Sequence, residues 1–298
     1  MRIGVLGSGA IGGFLTALLW RAEHSVVCIG KEAQVVRIER DGIRLESPVF
    51  GTFVARPRTT TLLSEPVDVV FVAVKSPTLI EALHRLSKRS IANATVIPLL
   101  NGLGHRETIE ATLSASVAVG TIGFIEVAIV DGIARQLSSQ QPHIDLGSRE
   151  VPQQTLQLFA DALRTTGLTV SVLGSEAAVI WKKLVRLNAI ASTTAAAQAP
   201  VGFVRSDPQW RRILEGLVRE AADVARKEGV DTDPGVVLAA IDRLPAELTT
   251  SLQRDIAARV PSEIESITGG VLRRAKQWDV ACPCVSEVYD MLKRMAST

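Results

Sequence analysis

Hydrophobic residues follow two different periods along this chain. Up to about residue 172, short apolar runs that are typical of buried strands alternate with stretches of helical spacing. The run VDVVFVAV at 67–74 is almost continuously apolar, as expected of a parallel strand covered on both faces. Strands are predicted at 2–7, 25–30, 67–74, 94–100, 115–122 and 168–172, and helices at 11–21, 78–87, 106–113 and 153–165, with a further helical stretch through Val36 and more strands and turns at 123–147.

Strands that alternate with helices predict an α/β fold with an N-terminal Rossmann-like, doubly wound sheet. From Ser175 onward the spacing is helical to the end, with helices predicted at 175–197, 207–228, 234–243, 261–278 and 285–295. We therefore predict two domains, residues 1–173 and an all-helical C-terminal domain of residues 174–298, divided by a change of period. The helical domain fits either a dimerisation platform or a lid that forms a cleft with the sheet.

Composition narrows the class of protein. The 298 residues are 47% hydrophobic, enough for a sizeable core, and the net charge of +2 argues against a nucleic-acid surface. The longest charge-free run, Leu187 to Val204, contains too many polar residues for a membrane span. The N-terminus shows no signal-peptide pattern and three cysteines fit a reducing compartment, so we expect a cytoplasmic protein. Scattered histidines and the isolated Cys282–Cys284 pair predict no metal site.

A glycine-rich turn follows the first strand and opens the first helix. In VLGSGAIGG, Gly7, Gly9 and Gly12 have the G-x-G-x-x-G spacing. The first glycine permits the tight turn, the second lets the backbone approach a pyrophosphate, and the third lets the helix pack closely on the strand. A purely structural glycine turn is the alternative. The predicted cofactor-binding loop comprises Gly7, Ser8, Gly9, Ala10, Ile11 and Gly12.

The end of the second strand favours NADP over NAD. An NAD site usually has an acidic residue there to bind the ribose 2′-hydroxyl. Here the strand ends in Ile29 and Gly30, and Lys31 follows, in a position to meet a 2′-phosphate. A solvated pair of Lys31 and Glu32 on a loop is the alternative.

Two polar residues come where two further strands end. Lys75 follows the apolar run at 67–74, and Asn101 follows the strand at 94–100, with Gly102 and Gly104 behind it. Ligands of doubly wound sheets bind at the carboxyl ends of the strands, so both residues are candidates to face the cofactor or the substrate. An ordinary strand-end lysine and a turn asparagine are the alternatives.

Six motifs together resemble the ketopantoate reductases, or 2-dehydropantoate 2-reductases. The motifs are GxGxxG at 7–12, VK at 74–75, NG at 101–102, W-x-K-L at 181–184, TS at 250–251 and SEIESITGG at 262–270. Their order and approximate spacing match that family over nearly the whole chain. The resemblance implies the same two-domain layout, NADPH as cofactor, and a place in pantothenate biosynthesis.

The resemblance also assigns roles within the helix predicted at 175–197. That helix has adjacent lysines, Lys182 and Lys183, and spacing alone does not decide which one points away from water. The family's W-x-K-L lysine is the general acid, which corresponds to Lys183. By the same resemblance Ser251 binds substrate, Asn101 contacts both substrate and cofactor, and Glu263, Lys75 and Lys31 contact the cofactor.

Each of these roles has an alternative. Lys183 fits a solvated helix lysine, and Ser251 by itself carries little information. Ser262 and Glu265 form a capping-box pattern, so Glu263 also fits a first-turn acid favoured by the helix dipole.

The chain departs from the family pattern where the substrate is expected. The family often has asparagines four and eight residues after the catalytic lysine, and here those positions are Leu187 and Ala191. Asn188 comes one residue late, about 100° around the helix. Thr268 replaces a further family asparagine.

The predicted function is NADPH-dependent reduction of a small 2-oxo acid, with ketopantoate the first candidate. A related keto acid reduced by the same lysine chemistry is the second, and a non-catalytic NADP-binding redox sensor is the third. The expected partners are the keto acid and a second copy of the chain in a homodimer, without nucleic acid or membrane. Lys183 and Glu263 speak against the sensor, because a sensor needs no general acid.

Overall fold

The glycine-rich turn lies between strand β1 (Arg2–Leu6) and helix α1 (Ala10–Arg21) in a computed structural model that describes residues 1–297. By internal contacts the chain forms a first unit, residues 1–100 and 105–179, and a second unit, residues 101–104 and 180–298. The division into domains at residues 173 and 174 stays a prediction.

A six-stranded parallel sheet forms the centre of the first unit, as predicted. The sheet has the order β5-β2-β1-β6-β7-β8, so the strands run outward in two directions from β1. Its further strands are β2 (Ser25–Ile29), β5 (Arg58–Thr60), β6 (Val69–Val72), β7 (Thr95–Pro98) and β8 (Ser116–Val117). Every residue of β6 is buried, which explains why this run is apolar throughout.

Helices and two smaller sheets complete the first unit. The smaller sheets have the orders β10-β11-β3-β4 and β13-β12-β9. Their strands are β3 (Ile43–Ser47), β4 (Gly51–Ala55), β9 (Val119–Gly123), β10 (Val127–Val130), β11 (Ile133–Gln136), β12 (His143–Gly147) and β13 (Thr169–Val172). The helices are α2 (Glu32–Asp41), α3 (Leu79–Leu83), α4 (Lys88–Ile91), α5 (His105–Thr112) and α6 (Gln153–Arg164), with a short 3-10 helix at Ser76–Thr78.

The second unit is helical, as predicted, but one predicted helix is shorter than expected. Helix α12 begins at Thr268 and not near 261, since residues 261–263 are irregular and residues 264–267 form a turn. Glu263 is therefore not in the first turn of a helix, and the capping-box alternative is wrong. The helices are α7 (Glu176–Ala197), α8 (Val201–Ser206), α9 (Pro208–Lys227), α10 (Pro234–Asp242), α11 (Ser251–Ala257), α12 (Thr268–Gln277) and α13 (Pro283–Ser297).

Residues 1–297 contain neither a candidate membrane span nor a candidate metal cluster. Among these residues no helix combines the length and the hydropathy that crossing a membrane requires. Within the same range, no three His, Cys, Asp or Glu side chains are grouped so that they could hold a metal ion.

Candidate active site

The glycine-rich turn of the first unit has the geometry that a nucleotide loop requires. Gly7 has a φ of +103°, and a Cβ there would lie 2.7 Å from the Val74 side chain. A Cβ on Gly12 would collide with the Gly7 carbonyl oxygen, which explains the requirement for glycine where the helix packs on the strand. By contrast, a Cβ on Gly9 would meet no atom within 4 Å, so space is open at the N-terminus of α1.

Ser8 supplies an independent reason to place an anion at this turn. Its side chain is buried, with 4% of the residue exposed, and its hydroxyl has no hydrogen-bond partner among residues 1–297. A buried hydroxyl without a partner is costly unless a ligand or water satisfies it. Ala10 and Ile11 begin α1 and are half-buried, so the free amide groups of the first helical turn lie beside the same open space. These residues fit a dinucleotide pyrophosphate.

Two lysines of the first unit lie after strand ends. Lys31 precedes α2, and its Nζ lies 3.2 Å from Oε1 of Glu81 in an exposed ion pair. Lys75 is exposed and precedes the 3-10 helix, whose Thr78 amide donates to its carbonyl. Strand β6 ends at Val72, so Lys75 follows the strand by a short turn rather than ending it. Their contacts with a cofactor stay predictions.

Lys183 owes its orientation to the tryptophan two residues before it. The Trp181 side chain is fully buried, and its Nε1 donates to Oε2 of Glu228 at 2.8 Å. This contact sets the rotation of α7 within the second unit. Lys182 is exposed, whereas Lys183 is only partly exposed, so the two adjacent lysines have different environments.

A short strap, residues 101–104, places Asn101 beside Lys183. The Leu103 amide donates to the Ser266 carbonyl at 2.8 Å. Gly102 has a φ of +97°, and a Cβ there would come within 2.1 Å of the Ser266 carbonyl oxygen. The strap therefore lies directly against the turns at 261–267, which carry Glu263.

Lys183, Asn101 and Glu263 form one hydrogen-bonded chain. Lys183 Nζ donates to Asn101 Oδ1 at 2.7 Å, and Asn101 Nδ2 donates to Glu263 Oε2 at 3.0 Å. The amide is thus oriented by a cation at its oxygen and an anion at its nitrogen. Glu263 is 9% exposed, so its charge acts in a poorly hydrated environment. The structure brings together these three predicted residues.

Burial gives Lys183 a pKa suited to proton transfer near neutral pH. It lowers the pKa of Lys183 to about 8, with the negative charge of Glu263 raising this pKa and the positive charge of Arg186 lowering it. A lysine with this pKa still carries its proton at neutral pH and releases it more readily than an exposed lysine. The arrangement can donate a proton to an oxygen on which negative charge develops.

Ser251 is not joined to these three residues. It is exposed in the first turn of α11, where the preceding Thr250 caps the helix by accepting a hydrogen bond from the Gln253 amide. Thr250 also shares a hydrogen bond with Thr194 of α7, with their hydroxyl oxygens 2.9 Å apart. This bond ties the start of α11 to α7. The substrate contact of Ser251 stays a prediction.

Asn188 does not replace the missing asparagines on the lysine face. It lies about 140° around α7 from Lys183, is 0% exposed, and accepts a hydrogen bond from Ser192. Ser192 in turn contacts the Thr268 hydroxyl at 2.7 Å, which gives Thr268 a packing role. Leu187 and Ala191 lie about 40° and 80° from the lysine, so this side of the helix is apolar.

A role for Arg186 was not predicted from the sequence, although its spacing from Lys183 could have indicated one. It lies three residues after Lys183, so the two cations are neighbours on one helix face. Their proximity is reflected in the effect of Arg186 on the lysine pKa. A second cation at this spacing can be read from sequence as a modifier of a catalytic lysine.

If Lys183 acts as a general acid, we expect kcat/KM to fall as pH rises through the pKa of this lysine. A general acid works when protonated, so kcat/KM is retained below about 8 and lost above it. Arg186→Gln removes a like charge and should move this limb to higher pH, whereas Glu263→Gln removes the counter-charge and should move it to lower pH. Profiles of kcat/KM against pH for the three proteins check this. Shifts of both variants in the same direction would contradict it.

Comparison with known proteins finds the same protein family in both parts of the chain. A family model described as "Ketopantoate reductase PanE/ApbA" matches residues 3–149, and "Ketopantoate reductase PanE/ApbA C terminal" matches residues 177–296. The chain is similar to the 2-dehydropantoate 2-reductase of Halobacterium salinarum, with 29% identity over 299 residues and 98% of each chain covered.

Solved structures show the same fold across the chain. The 2-dehydropantoate 2-reductase of Geobacter metallireducens has a TM-score of 0.88 at 22% identity, with 99% of each chain covered. D-mandelate dehydrogenase, solved with NADH and anilino(oxo)acetate, has a TM-score of 0.88 at 20% identity, with 100% of this chain and 99% of that chain covered. At these identities the likeness concerns the fold alone.

Proposed function

Because this chain belongs to the ketopantoate reductase family, we propose that it catalyses the NADPH-dependent reduction of a small 2-oxo acid. The observation that carries the proposal is the hydrogen-bonded chain of Lys183, Asn101 and Glu263. Ketopantoate is the first substrate candidate, since 2-dehydropantoate 2-reductases recur among the relatives.

The proposed mechanism divides the reaction between a hydride donor and a proton donor. NADPH supplies a hydride to the keto carbon when bound. The loop at Gly7 to Gly12 would hold the pyrophosphate through open backbone and helix amides, and the pyrophosphate would give the buried Ser8 hydroxyl a hydrogen-bond partner. The Lys183 ammonium stabilises the negative charge on the carbonyl oxygen and donates a proton to it.

Asn101 and Glu263 act on the lysine. The asparagine oxygen accepts a hydrogen bond from the lysine and so helps to fix the direction of its ammonium group. The buried carboxylate favours the protonated form of the lysine. Without it, burial and Arg186 would both oppose the charge that the reaction needs.

The cofactor assignment predicts an asymmetric effect of removing Lys31. Lys31→Ala should weaken NADPH binding by about 1.5–3 kcal/mol, the range for a hydrogen bond to a charged group, and leave NADH nearly unchanged. Glu81→Ala is the matched control, because it breaks the ion pair and leaves the lysine available to the 2′-phosphate. Calorimetric titration gives the dissociation constants of NADPH and NADH for both variants. Equal losses of affinity for NADPH and NADH in Lys31→Ala would contradict the assignment of Lys31 to the 2′-phosphate.

The apolar face of α7 predicts a weakened preference for ketopantoate. A substrate hydroxyl left without a partner beside Leu187 and Ala191 costs about 1–3 kcal/mol. We therefore expect ketopantoate to be reduced with only a modest preference over 2-ketoisovalerate, which lacks the hydroxyl. The double variant Leu187→Asn, Ala191→Asn should raise that preference.

The ratio of kcat/KM for these two acids, followed by NADPH absorbance, tests this prediction together with the function. A wild-type preference above about 10⁴-fold, of the size that a fully hydrogen-bonding site gives, would contradict the predicted preference. No absorbance decay with any keto acid in a panel would instead favour the NADP-binding sensor.

Assembly and location complete the proposal. We propose a homodimer, supported by the fold shared with the dimeric ketopantoate reductase of Staphylococcus aureus, at a TM-score of 0.82 and 18% identity. Light scattering measures this state directly. A cytoplasmic location, expected from the cysteine content, stays a prediction.

A further inference from the structure

Three consecutive hydroxyl residues are buried in α7, the helix that carries Lys183. Ser192, Thr193 and Thr194 are each 0% exposed. A buried hydroxyl is costly unless it forms hydrogen bonds. Thr193 bonds within the helix, where it donates to the Ala189 carbonyl at 2.7 Å. The residues on either side of it also bond to side chains outside α7.

Thr194 is linked to the start of α11 by a hydrogen bond whose direction can be derived. Its hydroxyl donates to the Ile190 carbonyl at 2.7 Å, which uses its one proton. It therefore accepts from the Thr250 hydroxyl, with the two oxygens 2.9 Å apart. Thr250 accepts in turn from the Gln253 amide at 3.2 Å. A relay of hydrogen bonds thus runs from an amide of α11, through two hydroxyl groups, to a carbonyl of α7.

The residue after Thr250 is Ser251, the candidate substrate contact. Thr250 is 9% exposed, whereas Ser251 is exposed in the first turn of α11. On α7, Thr194 lies three turns beyond Lys183 and about 20° around the helix, so both are on one face. The relay therefore fixes the exposed serine relative to the helix face that carries the lysine, within the second unit.

The chain before Thr250 is held by bonds that do not involve α7. The Val201 amide donates to the Leu248 carbonyl at 2.9 Å, and the Gly202 amide donates to the Ala246 carbonyl at 2.8 Å. These backbone bonds to α8 remain when the Thr194 hydroxyl is removed. The relay therefore sets where the start of α11 lies against α7, rather than whether this part of the chain folds.

We propose that Thr194 is a positioning residue for substrate binding, which acts through Thr250 on Ser251. Thr194 has no exposed surface, so it does not contact the substrate itself. Its bond holds the serine hydroxyl where it donates to an oxygen of the 2-oxo acid. This inference rests on the proposed function and on Ser251 as a substrate contact.

Replacing the hydroxyl by a methyl group of similar size tests the proposal. Thr194→Val should raise KM for ketopantoate about three- to tenfold, the size of losing one neutral hydrogen bond, with kcat and KM for NADPH changed less than twofold. Thr193→Val is the matched control, because it is equally buried and loses only a bond within α7. Its three constants should stay near those of the wild type.

Two further variants show whether the hydroxyl is responsible. Thr194→Ser keeps the hydroxyl and should keep KM for ketopantoate within twofold of the wild type. Thr194→Ala removes it without adding a methyl group in its place, and should give the same rise in KM as Thr194→Val. A Thr194→Ser variant as impaired as Thr194→Ala would show that packing of the side chain is what matters, and would overturn the proposal.

A double variant shows whether the effect passes through Ser251. Ser251→Ala should raise KM for ketopantoate about tenfold or more, as expected for a hydrogen bond to a charged group. In that background Thr194→Val should change KM less than twofold, because the serine that it positions is gone. Losses that multiply in the double variant would show that Thr194 acts elsewhere. Purely structural damage gives such multiplied losses.

The levels of inference fail separately. Wild-type protein that reduces no keto acid would overturn the proposed function. Active wild-type protein whose KM is unchanged in Ser251→Ala would overturn the substrate contact of Ser251, and the positioning role with it. A normal KM in Thr194→Val, or an equal rise in Thr193→Val, would overturn only the role of Thr194.

Discussion

Lys183→Ala should lower kcat for keto acid reduction by about 10²-fold or more, the usual effect of losing a positioned general acid. The loss has two parts, since the alanine neither donates the proton nor stabilises the developing charge on oxygen. NADPH affinity should change little, because the glycine-rich loop and the lysine belong to different units. Steady-state kinetics and calorimetric titration with NADPH measure the two effects.

Lys182→Ala is the matched control. It removes the same charge one residue earlier, from an exposed position on the same helix. Both rate and affinity should stay near those of the wild type. If the two variants behave alike, or if Lys182→Ala is the damaging one, the assigned role of Lys183 is wrong.

Gly102→Ala should lower the free energy of unfolding of the second unit by about 3 kcal/mol or more, because a steric overlap with backbone and strain at a special φ are two of the mechanisms that give large losses. The new methyl would come within 2.1 Å of the Ser266 carbonyl oxygen, and the backbone φ of +97° adds strain of its own. Catalytic activity should fall together with stability, since Asn101 is on the same strap. Urea unfolding followed by tryptophan fluorescence suits this unit, because three of the four tryptophans are at 181, 210 and 278.

Gly104→Ala introduces backbone strain without a steric clash, so it separates the two effects expected for Gly102→Ala. Its φ is +91°, but a Cβ there would meet only a side-chain nitrogen of Arg273, at 4.0 Å. The expected loss is about 1–2 kcal/mol, the cost of the left-handed conformation alone. Equal losses for the two variants would show that the strap moves away from Ser266 at little cost.

The parts of the fold that were predictable are those where burial dictates the residues. Strand β6 is buried throughout, so its run of apolar residues appears in the sequence without ambiguity. Strands β3 and β4 were not predicted, because only alternate residues of β3 are buried and β4 is mostly exposed, so neither strand forms a continuous apolar run. The short helices α8 and α11 were also missed, since one or two turns give too few positions to reveal a period.

The residues of the site could be predicted from the sequence, but the contacts that position them could not. Spacing on α7 did not distinguish Lys182 from Lys183, and only resemblance to a family did. The distinguishing contact joins Trp181 to Glu228, which lie far apart in the sequence. The contact of Leu103 with Ser266 joins residues that are still further apart in the sequence. Local patterns carry no information about such pairs.

Asn101 is followed by Gly102, the sequence at which asparagine side chains most readily deamidate. Ring closure requires the side-chain amide carbon to turn toward the nitrogen of the next residue. Here the amide is held at both ends, by Lys183 and by Glu263, and the glycine backbone is fixed against Ser266. The hydrogen bonds that orient the lysine therefore also protect the protein against chemical ageing. Loss of the amide would place a second carboxylate beside Glu263 and remove the hydrogen bond that Asn101 Nδ2 donates to it.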